Sequence, residues 1–109
     1  MTPQQAIAKL DRQLSKHGQT VTLRREATTP LVHQARAFVR KADPENLTDA
    51  VSQDARVVVL SPTSLPEWAV KLQKGDQIRI GEGALVRVEE CERVLMDDQL
   101  VRINAVVQG

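Results

Sequence analysis

The spacing of apolar residues changes abruptly at Gly18, and that change limits the possible folds more than any other feature of the chain. Before it, Ile7, Leu10 and Leu14 recur at intervals of three and four, the stripe of an amphipathic helix. Thr2 and Gln5 have the spacing of a capping box, and Pro3 sits at the first helical position, where a missing N–H costs nothing. Lys16 and His17 place positive charge at the last turn, against the negative end of the helix dipole. These signals predict a helix from Pro3 to His17, closed by Gly18 as a left-handed cap. Beyond Gly18 the period falls to two, in short runs separated by turn residues: Thr20 to Arg24, Val32 to Val39, Gln77 to Ile80, the stretch around Val86 and Val88, and Val101 to Val107. Arg56 to Leu60 carries an unbroken apolar run, Val57-Val58-Val59-Leu60, which predicts a strand buried on both faces.

A helix followed by about six strands in series implies an antiparallel sheet and not βαβ units. The expected fold is mainly β: an N-terminal helix, then a small antiparallel β-barrel or sandwich with one long central loop. A chain of 109 residues makes one domain, with 1–18 as the helix, 19–109 as the β part and 41–56 as the loop. Pro62 and Pro66 keep their segment out of a sheet interior, and Ser64 to Trp68 is expected to form one helical turn. Lys74-Gly75-Asp76 and Asp97-Asp98 read as turns, and Gly81-Glu82-Gly83 as a tight reversal suited to positive φ.

Composition narrows function by exclusion. Fifteen basic and fourteen acidic residues leave a net charge of +1, which argues against affinity built on neutralising phosphates. Phe38 and Trp68 are the only aromatic residues, too few for a base-stacking platform, so the core must come from Val, Leu, Ile and Ala. Cys91 is the sole cysteine, which excludes an internal disulfide and a thiolate metal cluster and suits a reducing compartment. No apolar run approaches the length of a bilayer span and Met1 to Gln5 lacks the pattern of a secretory signal, so the expectation is a soluble intracellular domain.

Candidate chemistry is sparse. Cys91 lies in a Glu-Glu-Cys-Glu run, where neighbouring carboxylates would raise a thiol pKa, so it reads as passive. His17 is accounted for by the helix end, and His33 has no evident partner; both read as structural or solvated. Glu89, Glu90, Glu92, Asp97 and Asp98 read as a solvated edge that discourages wrong strand pairing. Gly81-Glu82-Gly83 lacks the Lys-Ser/Thr of a phosphate loop. No catalytic residue, cofactor or metal site is expected. Arg24, Arg25, Arg36, Arg40 and Lys41 form either a basic surface or ordinary strand decoration. Trp68 is either an interface anchor or a plug at one end of the barrel.

The order of these features, a short helix, Gly18 leading into Thr20-Val21-Thr22-Leu23-Arg24-Arg25, a long central loop, Val57-Val58-Val59-Leu60-Ser61-Pro62, Lys74-Gly75-Asp76-Gln77-Ile78-Arg79-Ile80-Gly81 and a final Val-rich strand, resembles the head–tail joining (head-completion, or stopper) proteins of long-tailed bacteriophages and gene-transfer particles. The resemblance is one of layout over most of the chain. It implies a non-enzymatic virion protein of the neck, present in the host cytoplasm during assembly, monomeric when free and a ring in the particle. Its implied partners are copies of itself, the portal or adaptor protein, tail-side proteins and nearby packaged DNA held without sequence-specific contacts, with no membrane. The matching loop carries Asp43, Glu45, Asp49 and Asp54 against Lys41 and Arg56, an acidic surface that DNA would slide past or be held behind. Trp68, Arg24 and Arg25 are the interface candidates. The alternative reading is a small OB-like or SH3-like barrel that binds nucleic acid.

Overall fold

Helix α1 spans Pro3–His17, with the limits its capping signals predict. The Thr2 hydroxyl accepts from the Gln5 N–H at 3.1 Å while the Gln5 side chain accepts from the Thr2 N–H at 2.9 Å, so two N-terminal donors are satisfied reciprocally. The computed structural model describes residues 2–41, 55–63, 65–83 and 85–108.

Six strands follow: β1 (Gln19–Arg25), β2 (Leu31–Lys41), β3 (Arg56–Leu60), β4 (Gln77–Ile80), β5 (Leu85–Met96) and β6 (Gln99–Gln108), with a short helix α2 (Glu67–Val70) between β3 and β4. They close into an antiparallel barrel in the order β1-β2-β3-β6-β5-β4, so the fold is mainly β with an N-terminal helix, as expected, and the barrel is the form it takes. Inward-facing Val21, Leu23, Val58, Leu60, Ile78, Val88, Ile103 and Val107 are fully buried. The core is aliphatic throughout; Phe38 and Trp68 pack at its margins.

The apolar run of β3 is buried on both faces for a concrete reason. Val58 and Leu60 point into the barrel, whereas Val57 and Val59 point outward beneath Leu10 and Leu14 of α1, joined by Ala55, Phe38 and Val106. The helix is therefore strapped across the outside of the barrel. Arg36 fastens its end, donating to the carbonyls of Leu14 (3.3 Å), Ser15 (3.4 Å) and Gly18 (2.7 Å).

Two sequence expectations need correction. Gly18 is extended (φ −78°, ψ 176°), not left-handed. Glycine is required because a Cβ there would collide with the Leu14 carbonyl and lie 3.0 Å from that of Ala37, where the chain turns from helix into β1. The 81–83 reversal forms as expected, with Gly81 at positive φ, +59°, and the Gly83 N–H donating to the Ile80 carbonyl at 3.0 Å. The stretch 41–56 is shorter than its ends suggested, because Lys41 and Arg56 belong to β2 and β3 and pair with each other across the ladder. Asp43, Glu45, Asp49 and Asp54 lie outside the described residues.

Candidate functional site

The interface candidates separate on the fold. Arg24 and Arg25 are consecutive on β1 and so point to opposite sides of the strand. Arg24 meets Glu26 at 3.3 Å near the surface. Arg25 turns to the segment that leads from α2 into β4, where its guanidinium holds Asp76 with two hydrogen bonds (3.0 and 2.8 Å) and donates to the carbonyls of Trp68 (3.3 Å) and Lys71 (3.0 Å). It also lies 5.7 Å from the centroid of the Trp68 ring. The hydrogen bond to Asp76 raises the Arg25 pKa, burial opposes this, and the charge of Asp76 adds to the rise.

This clasp ties α2 and its flanks to β1. Ala69 and Leu72 are buried in the barrel core, with Leu65 and Trp68 packed against it, so the segment stoppers one end of the barrel. Trp68 acts here as part of the plug. Asp76, read from the sequence only as a turn residue, is the second member of the pair; it is 3% exposed and also accepts from the Gln73 N–H at 2.9 Å. Its spacing of 51 residues from Arg25 leaves no local sequence signal.

Chemical reactivity finds little support among the described residues. No group of three or more His, Cys, Asp and Glu side chains is placed to hold a metal ion. The Cys91 thiol is pushed up chiefly by burial, with Arg93 lowering it and Asp76 raising it, so the expected rise has a different main cause from the adjacent glutamates. A protonated, half-buried thiol is a poor nucleophile. Glu89, in that same acidic run, faces Arg87 at 3.9 Å and Lys74 at 4.0 Å. Among the described residues no helix is long and apolar enough to cross a membrane.

What the barrel does offer is unpaired strand edge. β5 and β6 pair along a long hairpin closed by Asp97 and Asp98, but β4 reaches β5 only at Leu85–Arg87, and β3 reaches β6 only at Ile103–Val107. The distal hairpin thus runs past the ladders of its neighbours as an arm, with α1 against one face. Among the described residues no strand pairs with the outer edge of β5 from Glu90 to Met96. β2 behaves similarly: β3 covers it from Ala37 to Lys41, while Leu31 to Arg36 is paired with β1 alone. A groove of about 370 Å³ lies beside that second edge, between His33 to Arg36 on one side and Asp11, Leu14 and Ser15 of α1 on the other. A second groove, about 340 Å³, runs between α1 and the arm, with Ala6, Leu10, Val94 and Met96 as its apolar wall and Lys9 and Arg102 as its cations.

Comparison of the chain with protein-family models, with curated proteins and with solved structures finds no match.

Proposed function

We propose that this chain is a structural subunit of the neck of a long-tailed bacteriophage or gene-transfer particle, repeated as a ring between portal and tail. There it completes the filled head, keeps packaged DNA from leaking and offers the surface on which the tail attaches. The observation that carries this reading is that, among the described residues, β2 from Leu31 to Arg36 and β5 from Glu90 to Met96 each present an edge without a strand partner. A closed barrel removes edges and suppresses association. A barrel that leaves such edges bare, with Val32 58% and Leu95 60% exposed on those same strands, favours a role in assembly over one in catalysis. The layout resemblance and the absence of an activated nucleophile among the described residues agree with it.

The decisive experiment labels the chain in purified particles and deletes it from the producing genome. Gold label at the junction of head and tail, together with tailless heads that lose their DNA in the deletion, is the expected result. Absence of the chain from particles defeats the reading. Tight binding of random duplex DNA that weakens steeply with salt would favour the nucleic-acid barrel instead.

A further inference from the structure

We propose that the open edge of β5 in one copy pairs antiparallel with the open edge of β2 in the next, so that copies join head to tail through a shared sheet. This rests on the ring reading above and supplies its subunit contact. Each edge presents main-chain donors and acceptors without a ladder partner among the described residues, which is the template for strand addition.

Side chains select the pairing sense. On β2, Leu31 and Val32 lie exposed at the start of the open stretch, and at its end lies Arg36, whose guanidinium stays surface-exposed while it holds the carbonyls of Leu14, Ser15 and Gly18. On β5 the order is reversed, with exposed Glu90 and Glu92 first and Val94 and Leu95 last. An antiparallel register with Leu95 opposite Leu31 sets Val94 opposite Val32 and Glu90 opposite Arg36, with Glu92 diagonal to that arginine. Val94 and Leu95 then meet Val32 and Leu31, and Glu90 meets Arg36, with Arg93 falling opposite His33. Shifting the strands into parallel alignment with Leu95 against Arg36 would set Glu90 against Leu31 and Glu92 against His33.

Charge also argues against self-pairing of like edges. Two β5 edges brought together would oppose Glu90 and Glu92 with their own copies, whereas β2 carries Arg36, Arg40 and Lys41 and no acid. The contact is therefore heterologous, and repetition of a heterologous contact closes a ring when its rotation permits. A groove lined by Leu14, Ser15, Ser61 and Thr63 lies along that edge of β2.

Disulfide trapping in a Cys91→Ala background tests the pairing, using Leu31→Cys and Leu95→Cys chains made separately and judged by melting temperature to be folded. Both positions are exposed, so neither change touches the core. In a glutathione redox buffer at millimolar protein, the mixture of the two chains is expected to give a covalent heterodimer and neither chain alone a homodimer. The yield of that heterodimer should fall at least about tenfold when Glu90→Lys/Glu92→Lys is added to the Leu95→Cys chain. Homodimers of Leu95→Cys, no mixed disulfide, or a yield indifferent to the charge reversal would each overturn the proposal. If particles carry the chain at the neck yet no mixed disulfide forms, the pairing alone is wrong. If the mixed disulfide forms and particles lack the chain, the neck assignment alone is wrong.

Discussion

Truncating Arg25 should do more damage than truncating its partner Asp76, and the difference follows from where each charge would be stranded. The Asp76 side chain is 4% exposed and that of Arg25 23%. In Arg25→Ala the carboxylate keeps a single hydrogen bond, from the Gln73 N–H, and stays out of reach of water. A buried charge abandoned in this way costs about 3–5 kcal/mol. The lost donations to Trp68 and Lys71 and the lost stacking on Trp68 act in the same direction. In Asp76→Ala the guanidinium retains two carbonyl acceptors and partial access to solvent, so the cost is smaller, about 1.5–3 kcal/mol. Urea unfolding measures both, and the double variant should cost clearly less than the sum of the two, because no charge is then stranded. Trp68, the only tryptophan, supplies an independent signal: its emission should shift to the red in folded Arg25→Ala as the plug loosens. If both single variants fall within about 1 kcal/mol of the parent and add without coupling, the pair behaves as a solvent-screened surface bridge and the clasp argument is wrong.

Three further outcomes follow from the structure. Gly18→Ala should destabilise by about 2 kcal/mol or more, read by thermal melting, since a Cβ would meet two backbone carbonyls and not a yielding side chain. In the β5–β6 turn both Asp97 (φ 51°) and Asp98 (φ 63°) occupy the left-handed region, so Asp97→Asn/Asp98→Gly should raise stability by roughly 1 kcal/mol in the same assay. Between the ordinary thiol pKa and the raised value of folded Cys91, the folded chain binds more protons than the unfolded one. Stability should therefore decline as pH rises from about 8.5, a component lost in Cys91→Ala, and iodoacetamide should modify the native thiol more slowly than the unfolded one.

The limits of α1 were legible because capping, proline placement and dipole charge act within a few residues of one another, and Thr2, Pro3, Gln5 and His17 carry them openly. Strand positions were legible for a similar reason: the two-residue period of Val101, Ile103, Ala105 and Val107 is a local record of which face is buried. Even the double burial of β3 could be read from Val57-Val58-Val59-Leu60, though not what covers its outer face. Gly18 shows where such reading stops. A glycine after a helix ordinarily signals a left-handed cap, but here a Cβ would collide with the carbonyl of Leu14 and crowd that of Ala37 in β2, nineteen residues away, and the second contact leaves no mark on local sequence.

Partner choice was decided by the tertiary structure. Nothing local joins Arg25 to Asp76, β1 to β4, or β3 to β6, because each pairing depends on how the whole sheet curls and closes. The same closure determines which edges stay bare: a strand has two edges whatever its sequence, and only the lengths and registers of its neighbours leave Leu31 to Arg36 and Glu90 to Met96 unmatched among the described residues. Sequence determined the elements and their buried faces through short-range sterics and periodicity. The three-dimensional arrangement alone determined the clasp, the arm and the open edges, because hydrogen-bond complementarity between strands is a property of pairs and not of single segments.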